Sequence, residues 1–279
     1  MVTFLWSTSF IIIKWGLSEI PPLTYAGLRY VIAFLSLLPF SLTSKRINEI
    51  KNFEKNDWLK LISLGLLFYT FTQGTQFLGL SLLPAVTVSL WLNFTPLVVA
   101  IMGIFFLSEK PRKLQWIGSL LFIIGILTYF FPINLSGNQA MGLMVMTVGV
   151  IANSSSAVLG RSINKSGKYH PLTVTVVSMG IGSVIMLTTG LVFQGLPSIS
   201  LTTTLLLLWL AIINTAFAFT LWNYSLQTLT AMESSIINGT MLIQIALLAW
   251  LFIDEPINLQ QGIGMFIAII GALFVQIKK

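Results

Sequence analysis

A lysine within an apolar stretch is the first candidate for chemistry. Lys14 sits in SFIIIKWG at residues 9–16, and Thr3, Ser7, Phe10 and Lys14 follow at i, i+4, i+7 and i+11, one face of a helix. At mid-helix in hydrocarbon a lysine costs about 2.5–3.5 kcal/mol on insertion scales, so it takes a partner or water. Two roles fit. Either Lys14 snorkels from the outer end of its helix to the headgroups, or it joins Ser7 on the wall of a polar cavity. Arg29 lies deeper in the next apolar segment. Its pattern assigns it to bonding carbonyls or polar groups between packed helices; the functional alternative is attraction of an anionic or carboxylate substrate.

Polar stripes recur further along. Tyr69, Gln73 and Gln76 follow at i, i+4 and i+7. Unpaired amides are costly in hydrocarbon, so this face meets protein or water, and the stripe points to a wet cavity. Ser89, Asn93 and Pro96 repeat the spacing, with Trp91 beside them, and Pro96 removes a backbone hydrogen bond. Asn153 with three serines, Trp222 with Asn223, and Glu233, Asn238, Thr240 and Gln244 add further candidates. Glu233 reads as a carboxylate at a helix N-terminus or as a proton-coupling group. Glu109 and Glu255 read as structural. Each follows an N-cap candidate, Ser108 or Asp254, and lies beside a proline-containing helix start. Gly118 with Gly125 and Gly264 with Gly271 put small residues on one face for close packing.

Signals for an enzyme are missing. No Gly-rich phosphate loop with lysine suggests an ATP motor. His170 is the one histidine and there is no cysteine, so a metal cluster or a histidine-assisted nucleophile has little to build from. The expectation is no catalytic residue, no metal, no cofactor, no ATP and no nucleic-acid partner.

Helices must position the candidates. Hydrophobic residues make up 56% of the 279 and charged residues only 8%. Soluble domains carry about 25% charged residues, so the solvent of this chain is largely lipid. Ten helices are predicted near 2–18, 22–42, 58–80, 84–107, 113–132, 139–161, 171–193, 201–224, 230–253 and 258–277, with a loop at 43–57. Most are long enough for a core of about 30 Å. With that count, thirteen of the fifteen Lys and Arg residues fall on the side of the N-terminus: five near the second connection (Lys45 to Lys60), Lys110, Arg112 and Lys113, then Arg161, Lys165 and Lys168, then Lys278 and Lys279. Positive charge stays cytoplasmic, so both termini are expected there.

The chain also repeats itself. Residues 80–127 and 226–273 align at an offset of 146, with Ala85/Ala231, Ser89/Ser235, Glu109/Glu255, Gly118/Gly264 and Gly125/Gly271 among the identities. Pro22-Leu23-Thr24 is echoed by Pro171-Leu172-Thr173, and Lys14 by Arg161. Five crossings per copy place the second copy upside down, an inverted repeat of the kind many secondary transporters use. The fold class expected is an all-α polytopic membrane protein with ten transmembrane helices in two inverted five-helix repeats, 1–135 and 136–279.

The sequence resembles the EamA family of the drug/metabolite transporter superfamily. The resemblance rests on WSTSFIIIKWG at 6–16, LRYVIA at 28–33, QFLGLSLLPA at 76–85, TPLVVAIMGIFFLSEKPRKLQWIGSLLFIIGI at 95–126, NTAFAFTLWNYSLQ at 214–227 and GALFV at 271–275. It covers essentially the whole chain and departs at Leu242, which stands opposite Pro96. It implies export of small metabolites, often amino acids, through a central cavity lined by both repeats. The combined expectation is a secondary transporter of the inner or plasma membrane, exporting amino acids or similar polar metabolites by alternating access, with protons as the candidate coupling ion. Ser7, Lys14, Tyr69, Gln73, Gln76, Trp91, Asn93, Asn153, Trp222, Glu233 and Asn238 would line or gate the path. A passive channel or facilitator and a membrane-embedded lipid-modifying enzyme are the alternatives.

Overall fold

The computed structural model describes residues 1–95, 97–99, 101–102, 113–131, 137–165, 168–225, 238 and 240–276, with backbone only at 44, 161, 165, 220, 223–225, 275 and 276. Pro96, Glu109 and Glu233 therefore lie outside the described residues, as does the candidate cap Ser108. All the described regular structure is helical. The helices are α1 Val2–Gly16, α2 Pro22–Ser41, α3 Ser44–Lys51, α4 at 55–82, α5 Ala85–Leu92, α6 Lys113–Phe130, α7 Gly137–Lys165, α8 Pro171–Gln194, α9 at 201–225, α10 Met241–Phe252 and α11 Leu259–Gln276.

Local chemistry sets the helix ends. Pro22 and Pro171 occupy the first turns of α2 and α8, where a missing N–H costs nothing. Glu54 and Asp57 form a reciprocal capping box at the start of α4. Ser200 accepts from the Thr203 amide at 3.2 Å and starts α9. Gly195, at φ 74°, ends α8, a left-handed conformation that glycine adopts without strain.

Two expectations about helix ends are corrected. The 43–57 connection contains α3, because the charged segment SKRINEIK closes two helical turns. Asp254 is not the cap of the last helix. It holds φ 52°, and α11 starts later, where Asn258 Oδ1 accepts from the Gln261 amide at 2.7 Å and the Asn258 amide donates to Gln261 Oε1 at 3.0 Å.

Two helices carry a feature that periodicity did not reveal. Both α4 and α9 widen to π-helix in their middle, at Gly65–Thr72 and Ile212–Phe217. The 146-residue offset carries 65–72 onto 211–218, so the two wide turns coincide under it. In each, a threonine hydroxyl donates to the carbonyl five residues back: Thr72 to Leu67 and Thr215 to Leu210, both at 2.8 Å. Single π turns inside α-helices often sit at functional sites.

Small residues draw the helices together. A methyl group added at Gly264 would lie 2.6 Å from the Tyr129 amide nitrogen and 2.8 Å from the Gly125 carbonyl oxygen, so α6 and α11 meet backbone to backbone. At Gly271 it would meet Phe122 and the Gly118 carbonyl. At Gly65 it would meet the Ser178 carbonyl at 2.6 Å, which brings α4 against α8. The outward faces are apolar and exposed: Trp116, Leu120 and Leu127 on α6, Val192 and Phe193 on α8, Phe266 on α11. Surfaces of that kind need lipid. Among the described residues four helices are long and apolar enough to span a bilayer, Pro22–Ser41, Lys113–Phe130, Gly137–Asn164 and Pro171–Gln194, and further apolar helices are shorter. The protein is a polytopic membrane protein.

Candidate functional site

The interior holds a cavity of about 590 Å³, within the range of small-molecule sites. Its walls come from both parts of the chain. α1 supplies Trp6, Ser9 and Phe10; α2 supplies Arg29 and Tyr30; α4 supplies Phe68, Tyr69, Gln73 and Gln76. From the later helices come Asn153, Ser156 and Asn164 on α7, Thr175 and Ser178 on α8, Phe219 and Trp222 on α9, and Asn238 and Met241 near α10. The lining runs from the level of Arg29 and Gln76 to Asn164, an exposed residue near the end of α7.

Tyr69, Gln73, Gln76, Asn153, Trp222 and Asn238 are thus brought together at one cavity. Gln73 is 8% exposed, and no hydrogen-bond partner meets its side chain or that of Gln76 among the described residues. Asn153 Nδ2 donates to Thr95 Oγ1 at 3.1 Å. Tyr69 lies against α8, its hydroxyl beside Ser178 and its ring edge-on to Tyr30, 5.7 Å between centroids.

Four candidates lie elsewhere. Ser7 is fully buried between α1 and α10, with Thr3 O at 2.8 Å and Gln244 Oε1 at 3.1 Å. Trp91 Nε1 donates to Thr147 Oγ1 at 3.2 Å, and Asn93 Nδ2 to the Ser89 carbonyl at 2.8 Å. Lys14 is paired rather than facing the cavity: its Nζ is 3.3 Å from Glu255 Oε1. The other Glu255 oxygen accepts from the Ala85 amide at 2.7 Å. Glu255 therefore joins the ends of α1 and α5 through the α10–α11 connection. Sequence spacing could not find a partner 241 residues away from Lys14.

The same end is tied again. Glu19 accepts from the Ser200 amide and hydroxyl, both at 2.9 Å, and these bonds hold its carboxyl below the ordinary carboxylate range. Gln194 Oε1 accepts from the Leu23 amide at 2.8 Å. At the opposite end, Lys168 reaches Asp57 at 2.8 Å. That bond is the foremost cause holding the Asp57 carboxyl down to about 2. Glu49 accepts there from the His170 amide and the Thr173 hydroxyl.

Arg29 takes the bridging place that its position in the second apolar segment predicts. It does bond between packed helices, donating from Nε to Thr215 Oγ1 at 2.8 Å and from Nη2 to Ser9 Oγ at 3.4 Å. It is also part of the cavity wall, only 3% exposed, with no carboxylate in ion-pair reach among the described residues. Its guanidinium carbon lies 5.4 Å from the Tyr30 ring centroid and 6.0 Å from that of Phe77. An aromatic belt completes the wall. Trp6 meets Phe219 at 5.2 Å and Trp222 at 5.4 Å, and Phe68 meets Tyr69 at 4.9 Å. The Trp6 Nε1 donor is buried without an acceptor among the described residues. The sequence reading missed Trp6, Ser9, Tyr30, Phe219 and Thr215 as wall or positioning residues. Trp6 and Ser9 stood in the WSTS segment, whereas nothing in the spacing marked Thr215 as the acceptor of Arg29.

Comparison with known proteins places this architecture. A solved crystal structure superimposes with a TM-score of 0.70 over 98% of this chain and 93% of its own, at 16% identity, which shows a shared fold. An uncharacterized transporter of Archaeoglobus fulgidus is 25% identical over 287 residues, covering 100% of this chain and 96% of that protein. Proteins named as probable amino-acid metabolite efflux pumps, from Salmonella typhimurium and Escherichia coli, are 27% and 26% identical, each match covering 80% of this chain and 74% of the pump. The model of the EamA-like transporter family matches twice, over residues 1–131 and 140–277. With the helical bundle, its lipid-facing surface and its polar cavity described, the chain belongs to the EamA-like transporter family.

Proposed function

We propose that the protein is a secondary transporter of the inner or plasma membrane that exports small polar metabolites, amino acids or their derivatives, by alternating access. In this reading residues 1–135 and 136–279 are two inverted five-helix repeats, both termini are cytoplasmic, and the cavity between the repeats carries the substrate. One observation carries the reading: Gln73 and Gln76 line the cavity with no side-chain hydrogen-bond partner among the described residues. Groups left so in the depth of a membrane protein serve water or a solute. The names of the Salmonella and Escherichia relatives supply the amino-acid class.

The two ends of the bundle suggest the cycle. The cavity lining reaches the exposed Asn164 at the end with the basic connections, so this state faces the cytoplasm. The opposite end is held by Lys14–Glu255, Glu19–Ser200 and Gln194–Leu23. Outward opening requires the Lys14–Glu255 pair to part. The pair is partly exposed, at 23% and 18% for the two side chains, and such pairs contribute about 0–1 kcal/mol. It is weak enough to break in every cycle. Proton antiport, with Glu233 as the protonatable group, is the coupling this reading adopts; pH-driven transport unchanged in Glu233→Gln would remove that role.

Counterflow in proteoliposomes tests the reading. Vesicles preloaded with an unlabelled amino acid or derivative should accumulate the labelled form transiently. A metabolite panel giving no counterflow overturns the transporter reading. Accumulation that never becomes uphill under an imposed pH gradient points instead to a passive facilitator.

A further inference from the structure

We infer that the cavity selects its solute by a carboxylate bound at Arg29, with the solute's flat apolar body against the aromatic belt, and that a free ammonium group is dispensable. The inference rests on the transporter reading and narrows its substrate class.

The first argument is charge. Among the described residues of the cavity lining, Arg29 alone carries a formal charge. It is almost wholly buried, and its partners Thr215 and Ser9 are neutral hydroxyls. Hydroxyls satisfy N–H groups but leave the charge uncompensated among the described residues, and an uncompensated buried charge is costly. A helix-bridging role alone is within reach of a neutral amide. The cation that stands there instead makes the cavity favour an anion.

The second argument is orientation. The π turn in α9 directs the Thr215 hydroxyl hydrogen to the Leu210 carbonyl at 2.8 Å. The Thr215 oxygen must then receive Arg29 Nε as an acceptor, as it does at 2.8 Å. One edge of the guanidinium is thereby fixed. Nη2 has only the long 3.4 Å contact to Ser9, and Nη1 has no partner among the described residues. These two nitrogens form the fork that matches the two oxygens of a carboxylate.

The third argument is what surrounds the fork. Tyr30 and Phe77 flank it, and Trp6, Phe219 and Trp222 continue the wall. Aromatic faces of this kind take flat apolar groups by offset or edge contacts. Among the described residues no carboxylate lines the cavity, so from these residues a solute's ammonium meets only amide oxygens and ring faces. The carboxylate is the recognised group.

The test uses purified full-length protein in detergent and isothermal titration with 3-phenylpropanoate, 3-phenylpropanamide, 2-phenylethylamine and phenylalanine. The expected result is binding of the acid, at least as tight as phenylalanine and at least about tenfold tighter than the isosteric amide or the amine, the scale of a hydrogen bond to a charged group. Arg29→Gln should remove this preference and Arg29→Lys should restore part of it. Equal binding of acid and amide, tighter binding of the amine, or no binding of the acid would each overturn the inference. So would an unchanged preference in Arg29→Gln. The acid-against-amide comparison needs only the wild type, so it stands if a variant does not fold. Because binding is read separately from transport, counterflow of some other solute would leave the transporter reading intact while this inference fails.

Discussion

The wide turns of α4 and α9 occupy matching places and do different chemistry. Both are π segments, both are closed by a threonine hydroxyl bonded five residues back, and both lie against the eighth residue of a proline-started helix. Pro22 corresponds to Pro171 at an offset of 149, and the same offset carries Arg29 onto Ser178. Arg29 faces the α9 turn through Thr215. Ser178 faces the α4 turn beside Tyr69. One turn therefore anchors a cation and the other a neutral hydroxyl pair. A shared backbone geometry has been given two side-chain chemistries, and the difference puts recognition on the α2–α9 side. The comparison extends to where each helix starts. α4 is tethered there by Asp57 to Lys168 and α9 by Ser200 to Glu19.

The largest effect should come from the cation. Arg29→Gln should lower counterflow of an aromatic carboxylate by at least about tenfold, a loss of about 1.5–3 kcal/mol for a hydrogen bond to a charged group. Ser178→Ala should lower it by far less. Similar losses in the two variants would break the comparison. The next effect is on stability. Thr215→Val leaves Arg29 Nε without its acceptor, at about 1–3 kcal/mol, whereas Thr72→Val loses a hydroxyl bond of about 0.5–1.5 kcal/mol. Thermal unfolding in micelles should therefore rank Thr215→Val as the less stable; the reverse order would show that the two threonines are not used differently. The smallest effect is the pH response of the tethers. Asp57 and Glu19 both have lowered pKa values, so each favours the folded state above the ordinary carboxylate range, about 4. That contribution fades as pH falls, for Asp57 through about 2. Unfolding followed from pH 6 downward should show wild type losing stability that Asp57→Asn has already lost. Identical pH curves would remove the α4 tether from the account.

Helices were legible because lipid demands long apolar runs, and the family because its motifs follow in order along the chain. The Tyr69, Gln73 and Gln76 stripe was legible because a helix places i, i+4 and i+7 on one face. What stayed hidden was long-range. Lys14 meets Glu255, and Arg29 meets Thr215 across 186 residues; neither pairing leaves a local pattern. The π turns were hidden as well, because one widened turn barely disturbs an apolar run. Reading Arg29 as packing was right about its bonds and incomplete about its place in the wall.

The central claim is that the cavity opens to one side while Lys14–Glu255 holds the other. The natural chain has no cysteine, so a Gln76→Cys variant reports on the cavity alone. In oriented vesicles a membrane-impermeant maleimide should label it from the cytoplasmic face, and adding Glu255→Gln should raise labelling from the outer face severalfold. Labelling from the outer face that is fast in Gln76→Cys and unchanged by Glu255→Gln would contradict the account.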